Sequence, residues 1–110
     1  MTDQGKKYLS DILHAIELIE DFTSATLNYY DYSIDLKTQS AVERQLGIIG
    51  EAVNNFDKLL PELTLENARK IVGFRNRLIH SYDTVDSSMI WVILKKHLSP
   101  LKSEIIEKLK

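Results

Sequence analysis

The chain has 110 residues, 44% of them hydrophobic and 27% charged, with a formal net charge of −2 and no cysteine. That length suits one domain with one core, and the composition is globular and not disordered. The missing thiols exclude a disulfide framework and a thiolate zinc site, and the mildly acidic balance excludes a protein that coats nucleic acid with its whole surface, because such binding rests on phosphate neutralisation by many basic groups.

The N-terminal stretch MTDQGKKYLSDILHAIELIED breaks every apolar pair with Asp11, His14, Glu17 or Glu20, unlike the apolar core of a signal peptide. No run approaches the roughly 18 to 20 apolar residues that a membrane span needs, so a soluble cytoplasmic protein with no membrane contact is expected. Four glycines, two prolines, no internal repeat and no alternating strand pattern imply an all-α chain of few turns and long elements.

The spacing predicts a first helix over about 6–22, with Leu9, Ile12, Leu13, Ile16, Ile19 and Phe22 forming one apolar stripe. TSATLNYYDYSID, rich in Thr, Ser, Asn, Asp and Tyr, reads as a loop or irregular turn covering the bundle end. A second helix is expected over about 35–59, with Leu36, Val42, Leu46, Ile49, Val53 and Phe56 facing inward. Gly47 and Gly50 lie on it; since an interior helical glycine costs about 1 kcal/mol against alanine, they suggest close approach of another backbone, within the fold or across a dimer.

Pro61 ends that helix, and Thr64 with Glu66 or Asn67 offers caps for a third, whose buried side reads as Leu65, Ala68, Ile71, Val72, Leu78 and Ile79. A fourth starts at Asp86 or Ser87 and carries Ile90, Trp91, Ile93 and Leu94 to about Leu98. Ser99 as cap and Pro100 as first helical residue open a fifth, with Leu101, Ile105 and Leu109. Four to five helices with short connections form a bundle.

The chemistry concentrates in GFRNRLIHSYD, Gly73 to Asp83. From Arg69 to Tyr82 the chain holds Arg69, Lys70, Arg75 and Arg77 and no acid, its clearest positive patch. On a helix Asn76 and His80 are neighbours and Arg77 lies one turn from His80, whereas Arg75 and His80, five apart, are separated by about 140°. Arg75 can therefore meet a histidine of a second subunit. Histidine exchanges protons near neutrality, and arginine binds phosphate through a planar fork. Together they suit RNA cleavage without a metal or other cofactor: a base takes the 2′-hydroxyl proton, the oxygen attacks the adjacent phosphorus, and a cation stabilises the charge on the phosphoryl oxygens. A solvated basic helix face is the plainer alternative. His14 and His97, without basic neighbours in a common cluster, read as structural.

FRNRLIHSYDTVD resembles the signature of the HEPN superfamily, an arginine, a polar residue and then a histidine, matched by Arg75, Asn76 and His80. His80-Ser81-Tyr82 is similar to the His-x-Tyr extension of HepT-like proteins, and AVERQLGIIGEAVNNF, Ala41 to Phe56, to their second helix; the similarity extends to IWVILKKHLSPL near the end. The resemblance implies a single helical HEPN-type domain over residues 1–110 that forms a homodimer, bringing two Arg and His sets to one cleft as a ribonuclease site. It also implies a toxin neutralised by a minimal nucleotidyltransferase antitoxin that transfers AMP from ATP to the motif tyrosine, here Tyr82. Arg75 and His80 are then the catalytic candidates, Asn76, Arg77 and Glu51 the supporting ones. Glu51 either orients His80, pairs with Arg75, or forms a structural ion pair. Two other readings remain: a non-catalytic helical module that binds a nucleotidyltransferase or its nucleotide through Arg75 and Arg77, and a purely structural bundle.

Overall fold

The computed structural model describes residues 1–81 and 86–110, and the side chains of all of these except 74, 75 and 77–81. Six helices and no strand occur among the described residues: α1 (Asp3–Phe22), α2 (Tyr29–Ser33), α3 (Leu36–Leu59), α4 (Glu66–Ser81), α5 (Ser87–Lys96) and α6 (Leu98–Leu109). None is long and apolar enough to cross a membrane.

The long helices start where side chains can satisfy their free amides. Thr2 accepts from the Gly5 amide at α1, Asp35 from Thr38 at α3, and Asp86 from Ser88 at α5. These bonds to Thr38 and Ser88 hold the Asp35 and Asp86 carboxyls below the usual carboxylate range. The apolar stripes then meet in one core. Leu9, Ile12, Ile16 and Ile19 of α1 pack with Val42, Leu46, Ile49, Val53 and Phe56 of α3, and Ile71, Ile93, Leu101 and Ile105 close the cluster from the other helices. Gly5 belongs to this fit: a Cβ there would stand 2.8 Å from Leu60 Cδ1.

Three expectations are corrected. Leu36 is 72% exposed and Phe22 39% exposed, because each sits at a helix end beyond the reach of the neighbouring stripe. The stretch expected as loop contains α2, a five-residue helix capped by Asn28, whose side chain accepts from the Asp31 amide at 2.9 Å. The last helix begins at Leu98 and not at Pro100. Pro100 lacks the amide that would bond four residues back and its ring crowds the Lys96 carbonyl, so the helical path breaks at His97 and resumes with proline inside the first turn.

Tyr32, on α2, is fully buried, its ring 5.5 Å from that of Trp91. Burial pushes its phenol far above the usual range, so it stays un-ionised, and its hydroxyl has no partner among the described residues. An unpaired buried hydroxyl contributes nothing that a ring hydrogen would not. Tyr32→Phe is expected to leave stability unchanged or raise it by up to about 1 kcal/mol in denaturant unfolding; a loss larger than that would reveal a partner for the hydroxyl.

Candidate functional site

α4 carries the candidate motif, and its placement starts at its N-terminus. The Leu65 carbonyl accepts the Arg69 amide at 3.0 Å, so Leu65 stands at the cap position and has no side chain to cap with. The expected caps, Thr64 with Glu66 or Asn67, are not used in this way. A carboxylate on α6 replaces them: Glu104 accepts from the Asn67 and Ala68 amides, each at 3.3 Å. A negative group at a helix N-terminus is favoured both by the free amides and by the helix dipole. Glu104→Ala is expected to destabilise the protein by about 1 kcal/mol and to lower its melting temperature by about 4 °C, with Glu104→Gln losing less. An unchanged melting curve would show that the carboxylate does not hold α4.

Along its length α4 rests on α3. Ile71 is buried between them, and Arg69 Nε reaches Asp57 Oδ2 at 3.5 Å. The pair is half exposed and worth at most about 1 kcal/mol, but it neutralises one of the four cations of the expected positive patch. Lys70 is exposed.

The helix runs unbroken from Glu66 to Ser81. Positions 75, 76, 77 and 80 therefore all lie on regular α-helix, as expected, and positions 75 and 80 stand about 140° apart around its axis. The side chains of Arg75, Arg77, Leu78, Ile79 and His80 lie outside the described residues, and Tyr82 lies outside them altogether, between the last residue of α4 and Asp86. The start of α5 is anchored. The Tyr29 hydroxyl lies 3.1 Å from Ser87 Oγ, the Tyr29 and Tyr32 rings lie against Trp91, and Lys95 Nζ sits 4.6 Å from the centroid of the Trp91 ring. The small helix α2 thus fixes the start of α5.

Asn76 is exposed and opens onto a groove of about 420 Å³ between α3 and α4. From α4 the groove takes Val72 and Asn76; from α3 it takes Gly47, Gly50, Glu51, Asn54, Asn55 and Lys58. The structure thus brings together two of the supporting candidates, Asn76 and Glu51, and places the expected glycine pair in the same wall. With no side chain at positions 47 and 50, α3 leaves the groove open beside the motif helix. Glu51 is exposed and forms no ion pair with another described residue. The sequence reading missed Asn54, Asn55 and Lys58. Their signal was present, because 47, 50, 51, 54, 55 and 58 recur at steps of three and four and so share one helix face.

The two other histidines stand apart. His14 is exposed beside Glu17, Glu20 and Asp21 on α1, and His97 sits at the break between α5 and α6. No group of three or more His, Cys, Asp or Glu residues placed to hold a metal ion occurs among the described residues.

A family model described as "Ribonuclease HepT-like" matches residues 12–108. A protein of Thermococcus cleftensis, "Probable ribonuclease HepT", is 43% identical over 114 residues, covering 100% of this chain and 99% of that protein. A "Putative RNase" of Methanocaldococcus jannaschii is 33% identical over 104 residues, covering 91% of this chain and 92% of its own. One of the same description from Caldanaerobacter subterraneus is 31% identical over 103 residues, covering 93% and 91%. No solved structure matches the chain significantly.

Proposed function

The chain belongs to the HepT-like ribonuclease family, and from that premise we propose that it is a cytoplasmic, metal-independent endoribonuclease, a single HEPN-type domain over residues 1–110 acting as a homodimer. In this reading it is the toxin of a toxin–antitoxin pair, neutralised by a minimal nucleotidyltransferase that transfers AMP to Tyr82. The observation that carries the composite site is the unbroken helix from Glu66 to Ser81. On such a helix Arg75 and His80 of one chain diverge by about 140°, and a second chain supplies the missing member across a two-fold axis.

The chemistry follows from the residue types. His80, neutral, takes the proton of an RNA 2′-hydroxyl, and the oxygen attacks the adjacent phosphorus as the bond to the 5′-oxygen breaks. The leaving oxygen takes up a proton, and the products are a 2′,3′-cyclic phosphate and a 5′-hydroxyl. Arg75 stabilises the charge gathering on the phosphoryl oxygens through its fork of donors. Asn76 and Arg77, within a turn of His80, and Glu51, across the groove from Asn76, hold substrate and motif in register.

A mixing experiment tests the composite site. Arg75→Ala and His80→Ala chains, each inactive alone, are expected to regain cleavage when unfolded and refolded together, at up to about a quarter of wild-type activity, because half the dimers then carry one intact Arg75–His80 set. No recovery, with mixed dimers verified by native mass spectrometry, would place the whole site within one chain.

A further inference from the structure

The groove beside Asn76 continues well past the motif. Its α3 wall runs from Gly47 to Lys58, twelve residues spanning about 16 Å of helix. α4 runs back along α3 after the turn at Pro61, with Arg69 against Asp57, so Lys58 marks the end remote from His80 and Gly47 the end near it. Between them lie Glu51, Asn54 and Asn55. Asn54 and Lys58 are exposed and Asn55 half-buried, and none of these side chains takes a hydrogen bond or an ion pair from another described residue.

We propose that this groove is a base-reading subsite for single-stranded RNA flanking the cleaved bond, with the Asn54 and Asn55 amides contacting base edges and Lys58 a flanking phosphate. The inference rests on the ribonuclease reading above and adds to it residues outside the motif. The donor and acceptor inventory supports it. An amide offers two donors and one acceptor oxygen, the set that pairs with the Watson–Crick edges of unstacked bases. Glu51 offers only acceptors and a negative charge, which repels phosphate from the middle of the groove while accepting from base amino groups or a 2′-hydroxyl. Phosphate is left to the cationic end, where Lys58 is free of any partner among the described residues. Asp57 occupies Arg69, so Lys58 carries the contact. Gly47 and Gly50 add no side chain of their own to the groove wall.

The test compares the wild-type dimer with Asn54→Ala, Asn55→Ala and Lys58→Ala on a pool of single-stranded RNAs randomised around the cut. Either asparagine variant is expected to flatten the nucleotide preference at one flanking position while cutting its best substrate at a kcat within a few-fold of wild type. Lys58→Ala is expected to raise KM about five- to tenfold for every sequence and to reduce the slope of log affinity against log salt by about 0.7. Preferences, KM and salt slope all unchanged in an enzyme that cuts RNA would overturn the inference and leave the ribonuclease reading standing. So would variants that become monomeric by light scattering, since the groove would then be a contact between copies. A wild-type chain that neither cuts nor binds any RNA of the pool would overturn the ribonuclease reading itself, and the subsite with it.

Discussion

His80→Ala is expected to lower RNA cleavage by a factor of about 10² to 10⁴, the range typical of losing a general base, while the helical signal and melting temperature stay close to wild type. α1 and α3 interlock through Ile12, Ile16, Leu46 and Ile49, and α4 is anchored at its other end by Ile71, Asp57 and Glu104. A residue in the last turns of α4 can therefore change chemistry without changing architecture. Arg75→Ala is expected to lose as much. Arg75→Lys should recover little, because an ammonium lacks the planar pair of donors that matches two phosphoryl oxygens. The measurement is the rate of cleavage of a labelled single-stranded RNA, with circular dichroism and thermal melting as controls. Full cleavage by folded His80→Ala would move the chain to the non-catalytic alternative, a module that binds a nucleotidyltransferase or its nucleotide through Arg75 and Arg77.

The second large effect concerns Tyr82. Incubation with the partner nucleotidyltransferase, ATP and magnesium is expected to add AMP to wild type and none to Tyr82→Phe. The phenol oxygen would attack the α-phosphorus of ATP, forming a phosphodiester and releasing pyrophosphate, with the phenolic proton passing to solvent or to a base of the partner. Two residues past His80 in the chain, the new group would bring a negative charge and a nucleoside to the motif, to compete with RNA phosphate for the same donors. Inhibition then needs no change of fold. Tyr32 offers a contrast: it is fully buried against Trp91 and beyond the reach of another enzyme. Tyr30, 68% exposed, is the sharper control, since accessibility alone would direct modification there. Peptide mass spectrometry that finds AMP on Tyr29, Tyr30 or Tyr32 and none on Tyr82 would defeat the assignment, as would catalytic neutralisation of the Phe variant.

Much of this architecture could be read from local pattern. The stripe Leu9, Ile12, Ile16 and Ile19 and the caps Asp35 and Asp86 act within a few residues of themselves, so periodicity and residue type suffice to place α1, α3 and α5. What escaped depends on partners distant in the chain. α2 is too short to show a period, and Tyr32 is buried only because Trp91, far along the sequence, comes to cover it. The cap of α4 comes from Glu104 on α6, which no motif near Thr64 could announce. Leu36 matched the apolar register of α3 yet lies 72% exposed in its first turn, away from the core that its later residues enter. The site divides in the same way. Arg75, Asn76 and His80 were placed on one helix by their spacing, and Glu51 lines the same groove as Asn76 because α3 and α4 run side by side. The groove beyond them needed both walls at once: spacing puts Asn54, Asn55 and Lys58 on one face with Glu51, but only Val72 and Asn76 standing opposite make that face the side of a groove.

The central claim is cleavage by 2′-hydroxyl attack with protein side chains alone, and the ends of the RNA products test it most directly. One single-stranded RNA is cut by purified wild-type protein in excess EDTA, and the fragments are weighed by mass spectrometry beside the same RNA carrying a single 2′-deoxy nucleotide at the cut. The account predicts full activity in EDTA, a 2′,3′-cyclic phosphate facing a 5′-hydroxyl, and no cut at the 2′-deoxy position. Fragments ending in 3′-hydroxyl and 5′-phosphate, cleavage at the 2′-deoxy position, or activity that EDTA removes and a divalent metal restores would contradict it.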